Sequence, residues 1–229
     1  MTSSIRPCHR RRGLEITKRN DILRPDGDVS RDGTKNAQSY DAWADGYDAD
    51  LARWSYVAPR EAAARLKARL AGFGDARLLD CGCGTGLTGE ALRDAGSEGP
   101  LIGLDLSSKS LAVAAQKGIY HRLEPADLNA SLPLDTNAVD GALCVGVLTY
   151  LEEGQLLGEL TRVIRPGGVA VFTSRADFYV SRGIDRVITA LADEGLWSVL
   201  DISEPLDYLP GNPTFGDAVK VMYVSCRIT

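Results

Sequence analysis

The chain has 229 residues, 44% of them hydrophobic and 25% charged, which is enough to bury one full-sized α/β core. Its apolar runs are shorter than the roughly 20 residues that cross a bilayer, and residues 1–13 lack the apolar stretch of a secretory signal. Four of the five cysteines fall in strand-like runs or a glycine turn, and an odd number does not suit a disulfide framework. These features exclude a membrane-spanning or secreted protein, and we expect a soluble cytoplasmic one.

Charge is distributed unevenly along the chain. Residues 1–20 hold six Lys or Arg and one acid, a charge of +5. Because the whole chain has a net charge of −5, the remaining residues together carry a charge of −10. An acidic body repels a phosphate backbone, which makes a nucleic acid an unlikely substrate.

The N-terminal segment 1–38 is polar and has no hydrophobic periodicity, and we expect a disordered basic tail there. A transit peptide and a functional arm are the alternatives. The folded domain is expected to span 39–229, with 39–58 as a helical lid in which Tyr40, Trp43 and Tyr47 share one face. The alternative is that this aromatic face only packs on the core.

From residue 59 onward, helix-like and strand-like segments alternate, as in βαβ units. Helices are expected at 59–70, 86–96, 107–117, 153–164 and 183–195, and strands at 77–81, 101–105, 119–128, 139–147, 169–174, 197–203 and 219–228. The last two strands have no helix between them, which predicts one antiparallel strand near an edge. The pattern therefore predicts a three-layer, Rossmann-like, doubly wound α/β sheet of seven mostly parallel strands.

The most informative stretch is DCGCGTG, residues 80–86, between the first strand and the next helix. Its glycines, Gly82, Gly84 and Gly86, let the backbone turn sharply and approach a ligand closely. A dinucleotide fingerprint would need glycine at position 87, which is Leu87. The turn predicts a small polar ligand other than a dinucleotide.

Asp105 ends the second strand, 25 residues after Asp80. A carboxylate there can accept hydrogen bonds from a ribose diol and would repel a 2′-phosphate, so we expect an unphosphorylated nucleoside derivative. The alternative is that Asp105 caps the following helix, although Ser107 and Ser108 are better placed for that role.

Three segments carry a family resemblance: LLDCGCGTGL, LIGLDLS and RVIRPGGVAVFTS resemble motifs of class I S-adenosylmethionine-dependent methyltransferases, within residues 40–175. The aromatic segment 40–60 and the short C-terminal strands are similar to the Williams-Beuren syndrome region methyltransferase-like proteins. The resemblance implies that S-adenosylmethionine is the methyl donor and that the donor lies against the glycine turn.

The resemblance also implies roles for individual residues. Asp80 would orient the methionine amino group through the turn, Asp105 would hold the ribose, and Gly146 would flank the methionine portion. The donor-binding residues implied in this way are Tyr40, Tyr47, Asp80, Gly82, Cys83, Gly84, Gly86, Asp105, Leu106, Asp127, Leu128 and Gly146, with Asp127 and Leu128 at the adenine.

The acceptor is expected to be a small molecule, bound where the fourth and fifth strands end at Thr149, Tyr150 and Arg175, with Arg175 suited to an acidic group. Methyl transfer is an in-line displacement that needs no dedicated base, so no catalytic residue is assigned. A non-catalytic donor-binding subunit, methylation of a protein or RNA, and a nicotinamide-dependent oxidoreductase are the alternatives. We expect no metal site, because Cys81 and Cys83 lack a further Cys or His pair, and no role in the ligand crevice for His121.

Overall fold

Helices and strands alternate through the computed structural model, which describes residues 31–152 and 154–229. The helices are α1 (Gly33–Arg53), α2 (Ala58–Arg69), α3 (Leu87–Asp94), α4 (Ser108–Gln116), α5 (Gln155–Val163), α6 (Ala176–Ser181) and α7 (Ile184–Asp193), with one 3₁₀ turn at Leu148–Tyr150. The strands are β1 (Leu78–Cys81), β2 (Leu101–Asp105), β3 (Arg122–Pro125), β4 (Val139–Cys144), β5 (Ile164–Arg175), β6 (Trp197–Ile202), β7 (Leu206–Leu209) and β8 (Gly216–Ile228).

The strands form one sheet in the order β3-β2-β1-β4-β5-β8-β6. Strands β1 to β5 pair in parallel, and β8 runs antiparallel to both β5 and β6. The predicted Rossmann-like sheet with one reversed strand near an edge is therefore confirmed. The short strand β7 is an addition to the predicted seven, and it pairs with the first half of β8.

The sequence pattern overestimated two strands. The third strand was expected at 119–128 but covers only 122–125, because Asp127 leaves the sheet and accepts a hydrogen bond from the Asn129 N–H (2.9 Å). The fourth strand was expected to reach residue 147 but ends at Cys144, because Gly146 has a φ of +75°. Helix α6 was not predicted.

The first helix begins earlier than the sequence pattern indicated. Asp32 is its N-cap and accepts a hydrogen bond from the Lys35 N–H, so residues 33–38 are helical rather than part of a tail. The helix continues through Gly46, and Trp43 and Leu51 are buried on its inner face. The basic segment 1–20 lies outside the described residues.

Apolar layers cover both faces of the sheet. On one face, α5 contributes Leu156, Leu157, Leu160 and Val163, which recur at helical spacing. On the other face, α2 packs through Ala62, Ala63 and Leu66. Burying one leucine side chain in this way contributes roughly 1.5–3 kcal/mol. No helix in the described ranges is long and apolar enough to cross a membrane.

A third apolar cluster joins the two ends of the described chain. Trp43 and Leu51 of α1 pack against Leu209, Phe215 and Val219, which belong to β7, β8 and the loop between them. The cluster holds α1 across the edge of the sheet at which β1 and β2 end.

Candidate functional site

The turn after β1 uses all three predicted glycines in the left-handed backbone region. The φ values are +73° at Gly82, +52° at Gly84 and +97° at Gly86. A Cβ atom on Gly82 would lie 2.3 Å from the Val147 side chain, whereas one on Gly84 would meet nothing within 4 Å. Gly84 therefore faces open space, and Gly82 is required by close packing.

Two of the predicted donor-binding residues lie behind this turn. A Cβ atom on Gly86 would lie 3.2 Å from the Tyr120 ring, and the Cys83 sulfur packs against Gly103 of β2. Neither residue lines the cleft in front of the turn. Gly84 thus faces outward, whereas Cys83 and Gly86 face the side of the turn on which Gly103 and Tyr120 lie.

Asp105 lies at the end of β2 and holds the glycine turn. Its two carboxylate oxygens accept hydrogen bonds from the N–H groups of Gly84 and Ser107, each at 2.8 Å. Burial raises the pKa of the Asp105 carboxyl, and these N–H groups oppose the rise. Ser107 is the N-cap of α4, because its hydroxyl accepts from the Ser110 N–H (3.1 Å). Asp105 is thus free of the capping role.

Asp80 is fully buried beneath the turn, where Tyr120 is its partner. The Tyr120 hydroxyl donates to Asp80 Oδ2 at 2.7 Å, while Asp80 Oδ1 has no partner among the described residues. Burial raises the pKa of Asp80 to about 7, against the lowering effect of the Tyr120 hydrogen bond. Tyr120 was not among the predicted site residues; the signal for it was the pair of small residues, Gly89 and Gly103, against which its side chain packs.

In front of the turn lies a cleft of about 800 Å³, a volume that includes the open solvent at its mouth. Ten of the predicted site residues line it: Tyr40, Tyr47, Gly82, Gly84, Asp105, Leu106, Asp127, Leu128, Gly146 and Tyr150. Asp80, Cys83, Gly86, Thr149 and Arg175 do not. The charged residues of the lining are Asp105 and Asp127, and no lysine, arginine or histidine of the described chain joins them.

Helix α1 covers the cleft and is fastened to its rim by two acidic residues. Asp41 accepts from the Ser107 hydroxyl (2.6 Å) and the Lys109 N–H (3.1 Å). Asp48 accepts from the Thr85 hydroxyl (2.5 Å) and the Lys117 ammonium (2.7 Å). We did not predict these contacts, although a spacing of seven residues places Asp41 and Asp48 on one helix face.

Tyrosine side chains gather at the Gly146 end of the cleft. Tyr40 donates to the Tyr150 hydroxyl at 3.0 Å. A Cβ atom on Gly146 would lie 3.0 Å from the Tyr208 hydroxyl and 3.1 Å from that of Tyr56. Burial raises the pKa of Tyr40 and Tyr56 well above the ordinary value, so these phenols are neutral. Tyr56 and Tyr208 were not among the predicted site residues because they lie far apart in the sequence.

The remaining expected acceptor residues lie outside the cleft. Thr149 sits in the 3₁₀ turn, where its carbonyl accepts from the Arg182 guanidinium. Arg175 is buried and pairs with Asp177 through two hydrogen bonds, Nε to Oδ1 at 3.0 Å and Nη2 to Oδ2 at 2.7 Å. Its guanidinium also lies over the Phe178 ring. Because Asp177 balances its charge, Arg175 does not supply the accessible cation that we expected for an acidic acceptor.

Comparison with known proteins places this site in a family. Residues 79–172, which contain the glycine turn and β1 to most of β5, match the family described as "Methyltransferase domain". Human Methyltransferase-like protein 27 is 35% identical over 179 residues, which cover 74% of this chain and 71% of the human protein.

Two further relatives act on very different molecules. A malonyl-[acyl-carrier protein] O-methyltransferase of Pectobacterium atrosepticum is 36% identical over 121 residues, 52% of this chain and 46% of that protein. An 18S rRNA (guanine-N(7))-methyltransferase of Arabidopsis thaliana is 35% identical over 107 residues, 42% of this chain and 36% of that protein. The chain therefore spans less than half the length of either.

Among solved structures, an S-adenosylmethionine-dependent methyltransferase from Mesorhizobium loti has a TM-score of 0.55 at 24% identity, covering 71% of this chain and 95% of that one. The likeness shows that the two chains share a fold.

Proposed function

The chain belongs to the class I S-adenosylmethionine-dependent methyltransferases, and we propose that it methylates a small molecule bound at the Gly146 end of the cleft. S-adenosylmethionine is its methyl donor. The observation that carries the acceptor proposal is the cover: α1 lies across the cleft and is fastened at both Asp41 and Asp48. A cleft with a helix across it favours a small acceptor over a folded polymer.

The described residues fit the donor. Gly84 leaves room for a ligand against the backbone, Asp105 presents carboxylate oxygens at the same place, and Asp80 Oδ1 is a buried acceptor that lacks a partner. A buried carboxylate oxygen normally accepts a hydrogen bond, so we expect an N–H or O–H group from outside the polypeptide to bind Asp80 Oδ1. We propose that Asp105 and Leu106 hold the ribose and that Asp127 and Leu128 contact the adenine.

At the other end of the cleft, the tyrosines would position the acceptor. Its nucleophilic atom attacks the methyl carbon as the carbon–sulfur bond breaks, releasing S-adenosylhomocysteine, and any proton on the acceptor passes to water. Tyr150, whose pKa burial raises to about 12, and Tyr40 hold their protons at neutral pH. They therefore orient the acceptor by hydrogen bonds and do not act as bases.

The charge of the cleft also bears on the acceptor. Its lining holds Asp105 and Asp127, which we assign to the donor, and no described cation, which argues against the acidic acceptor expected from Arg175. Because one relative acts on 18S rRNA, the test of the acceptor described below also includes RNA.

Two finer assignments belong to the same proposal. The aromatic segment 40–60, packed against the short C-terminal strands, supports membership of the Williams-Beuren syndrome region methyltransferase-like group. Four buried cysteines without disulfides support a reducing compartment such as the cytoplasm.

The acceptor test uses the purified protein, S-adenosylmethionine carrying a labelled methyl group, and separate small-molecule, protein and RNA fractions of a cell extract. We expect label in the small-molecule fraction. Label confined to RNA or protein would refute the small-molecule proposal. No label in any fraction, despite tight binding of S-adenosylhomocysteine, would instead support a non-catalytic binding subunit.

The donor test replaces Asp105 with alanine. We expect S-adenosylhomocysteine binding to weaken by about 1.5–3 kcal/mol, the value of hydrogen bonds to a charged group. Calorimetry measures the affinity, and circular dichroism checks that the variant is folded. Asp45→Ala, on the exposed face of α1, is the matched control. Unchanged affinity in a folded Asp105→Ala protein would remove Asp105 from the donor site.

A further inference from the structure

Tyr120 occupies a pocket formed by small residues directly beneath the glycine turn. Cβ atoms on Gly89 and Gly103 would lie 2.4 Å from its hydroxyl and 2.9 Å from its ring. A Cβ atom on Gly86 would lie 3.2 Å from the ring. Three elements, α3, β2 and the turn itself, therefore fix the position of this side chain.

The hydroxyl of Tyr120 has one described acceptor, Asp80 Oδ2, at 2.7 Å. The hydrogen bond fixes the rotation of the Asp80 carboxylate and leaves Oδ1 buried without a partner. We propose that Tyr120 is a positioning residue for donor binding: it holds Asp80 so that Oδ1 accepts a hydrogen bond from the donor's amino group or from a bridging water. The inference rests on the donor placement given under Proposed function.

Charges around Asp80 make this hydrogen bond measurable. Burial has the largest effect and raises the Asp80 pKa, the Tyr120 hydroxyl lowers it, and Asp105 of β2 raises it, with a result of about 7. The thiols of Cys81, Cys83 and Cys144 also surround Asp80, and burial keeps them protonated. Removing the phenol hydroxyl therefore raises the pH at which Asp80 ionises.

The test measures S-adenosylhomocysteine affinity by calorimetry at a series of pH values on both sides of 7. In the wild-type protein we expect affinity to increase as Asp80 ionises near pH 7. Tyr120→Phe should bind S-adenosylhomocysteine about tenfold more weakly, as expected for the loss of one hydrogen bond to a charged group. The rise of its affinity with pH should occur at a higher pH than in the wild-type protein. Tyr179 is a half-buried tyrosine on α6, and Tyr179→Phe is the matched control. It should change neither the affinity nor the pH at which the affinity rises.

A double-mutant cycle separates positioning from a general structural role. If Tyr120 acts through Asp80, Tyr120→Phe should have no further effect on affinity in an Asp80→Asn protein. Asp80→Asn alone should also lose the pH dependence centred near 7.

Three results would overturn the inference: a wild-type pH profile in Tyr120→Phe, additive losses in the double variant, or retained pH dependence in Asp80→Asn. Failure of the wild-type protein to bind S-adenosylhomocysteine would instead overturn the donor placement itself. The two failures are therefore distinguishable.

Discussion

Replacing Gly84 with valine should abolish most donor binding while the protein stays folded. The φ of +52° at Gly84 lies in the left-handed region, where a residue with a side chain costs roughly 1–2 kcal/mol of folding free energy. A Cβ atom there meets no protein atom within 4 Å, so no clash adds to that cost. The two methyl groups of valine enter the cleft, in the space that we assign to the donor.

The expected loss of affinity follows from crowding. Forcing extra methyl groups into an occupied site costs about 1–3 kcal/mol, which corresponds to roughly 5-fold to 150-fold weaker binding. Gly82 is a poorer position for this test, because a Cβ atom added there would lie 2.3 Å from the Val147 side chain. A weaker affinity in a Gly82 variant could therefore result from disturbed folding as well as from a blocked site.

Gly195→Val is the matched control for backbone strain. Gly195 has a φ of +71°, its Cβ atom would also meet nothing within 4 Å, and it lies outside the cleft lining. Chemical denaturation should show similar losses of unfolding free energy in both variants, while calorimetry with S-adenosylhomocysteine should show weaker binding only in Gly84→Val. Equal affinity in the two variants would show that the donor does not occupy the space in front of Gly84.

Two further predictions concern the cover and the pH dependence of stability. Asp48→Ala removes two hydrogen bonds between α1 and the cleft rim, so limited proteolysis within α1 should be about tenfold faster than in the wild-type protein. Asp45→Ala, at an exposed position of the same helix, should be cleaved at the wild-type rate. Equal cleavage rates in Asp48→Ala and the wild-type protein would refute the fastening role of Asp48. Glu159 accepts hydrogen bonds from Arg162, which lower its pKa from 4.5 to about 2, so its contribution to stability is present above pH 4.5 and is lost as the pH falls towards 2. Glu159→Gln should cost about 1 kcal/mol at neutral pH and flatten the stability profile between those values, as measured by denaturation at each pH, and an unflattened profile would contradict the assignment.

Local signals predicted much of the fold and part of the site. The period of α5, the glycine turn and the position of Asp105 at the end of β2 all depend on neighbouring residues, and each lies where the pattern indicated. The end of β4 was missed because Gly146 interrupts an apolar run whose composition suits a longer strand.

The parts that sequence reasoning missed depend on contacts between distant segments. Tyr120 meets Asp80 across 40 positions, and Tyr56 meets Tyr208 only after the last strands have folded against α1. Arg175 ends β5 as predicted, but its pairing with Asp177 follows from the short helix α6, which has no clear periodic signal. Local periodicity carries no information about such pairs.

The apolar cluster between α1 and the β7–β8 region has a consequence for protein synthesis. Trp43 and Leu51 are translated before Leu209, Phe215 and Val219, which lie more than 150 positions further along the chain. A nascent chain that has completed β1 through β5 can pair those strands, but its α1 lacks the partners that bury Trp43. Until β8 has been translated, the aromatic face of α1 therefore lacks the apolar partners that bury it in the complete fold.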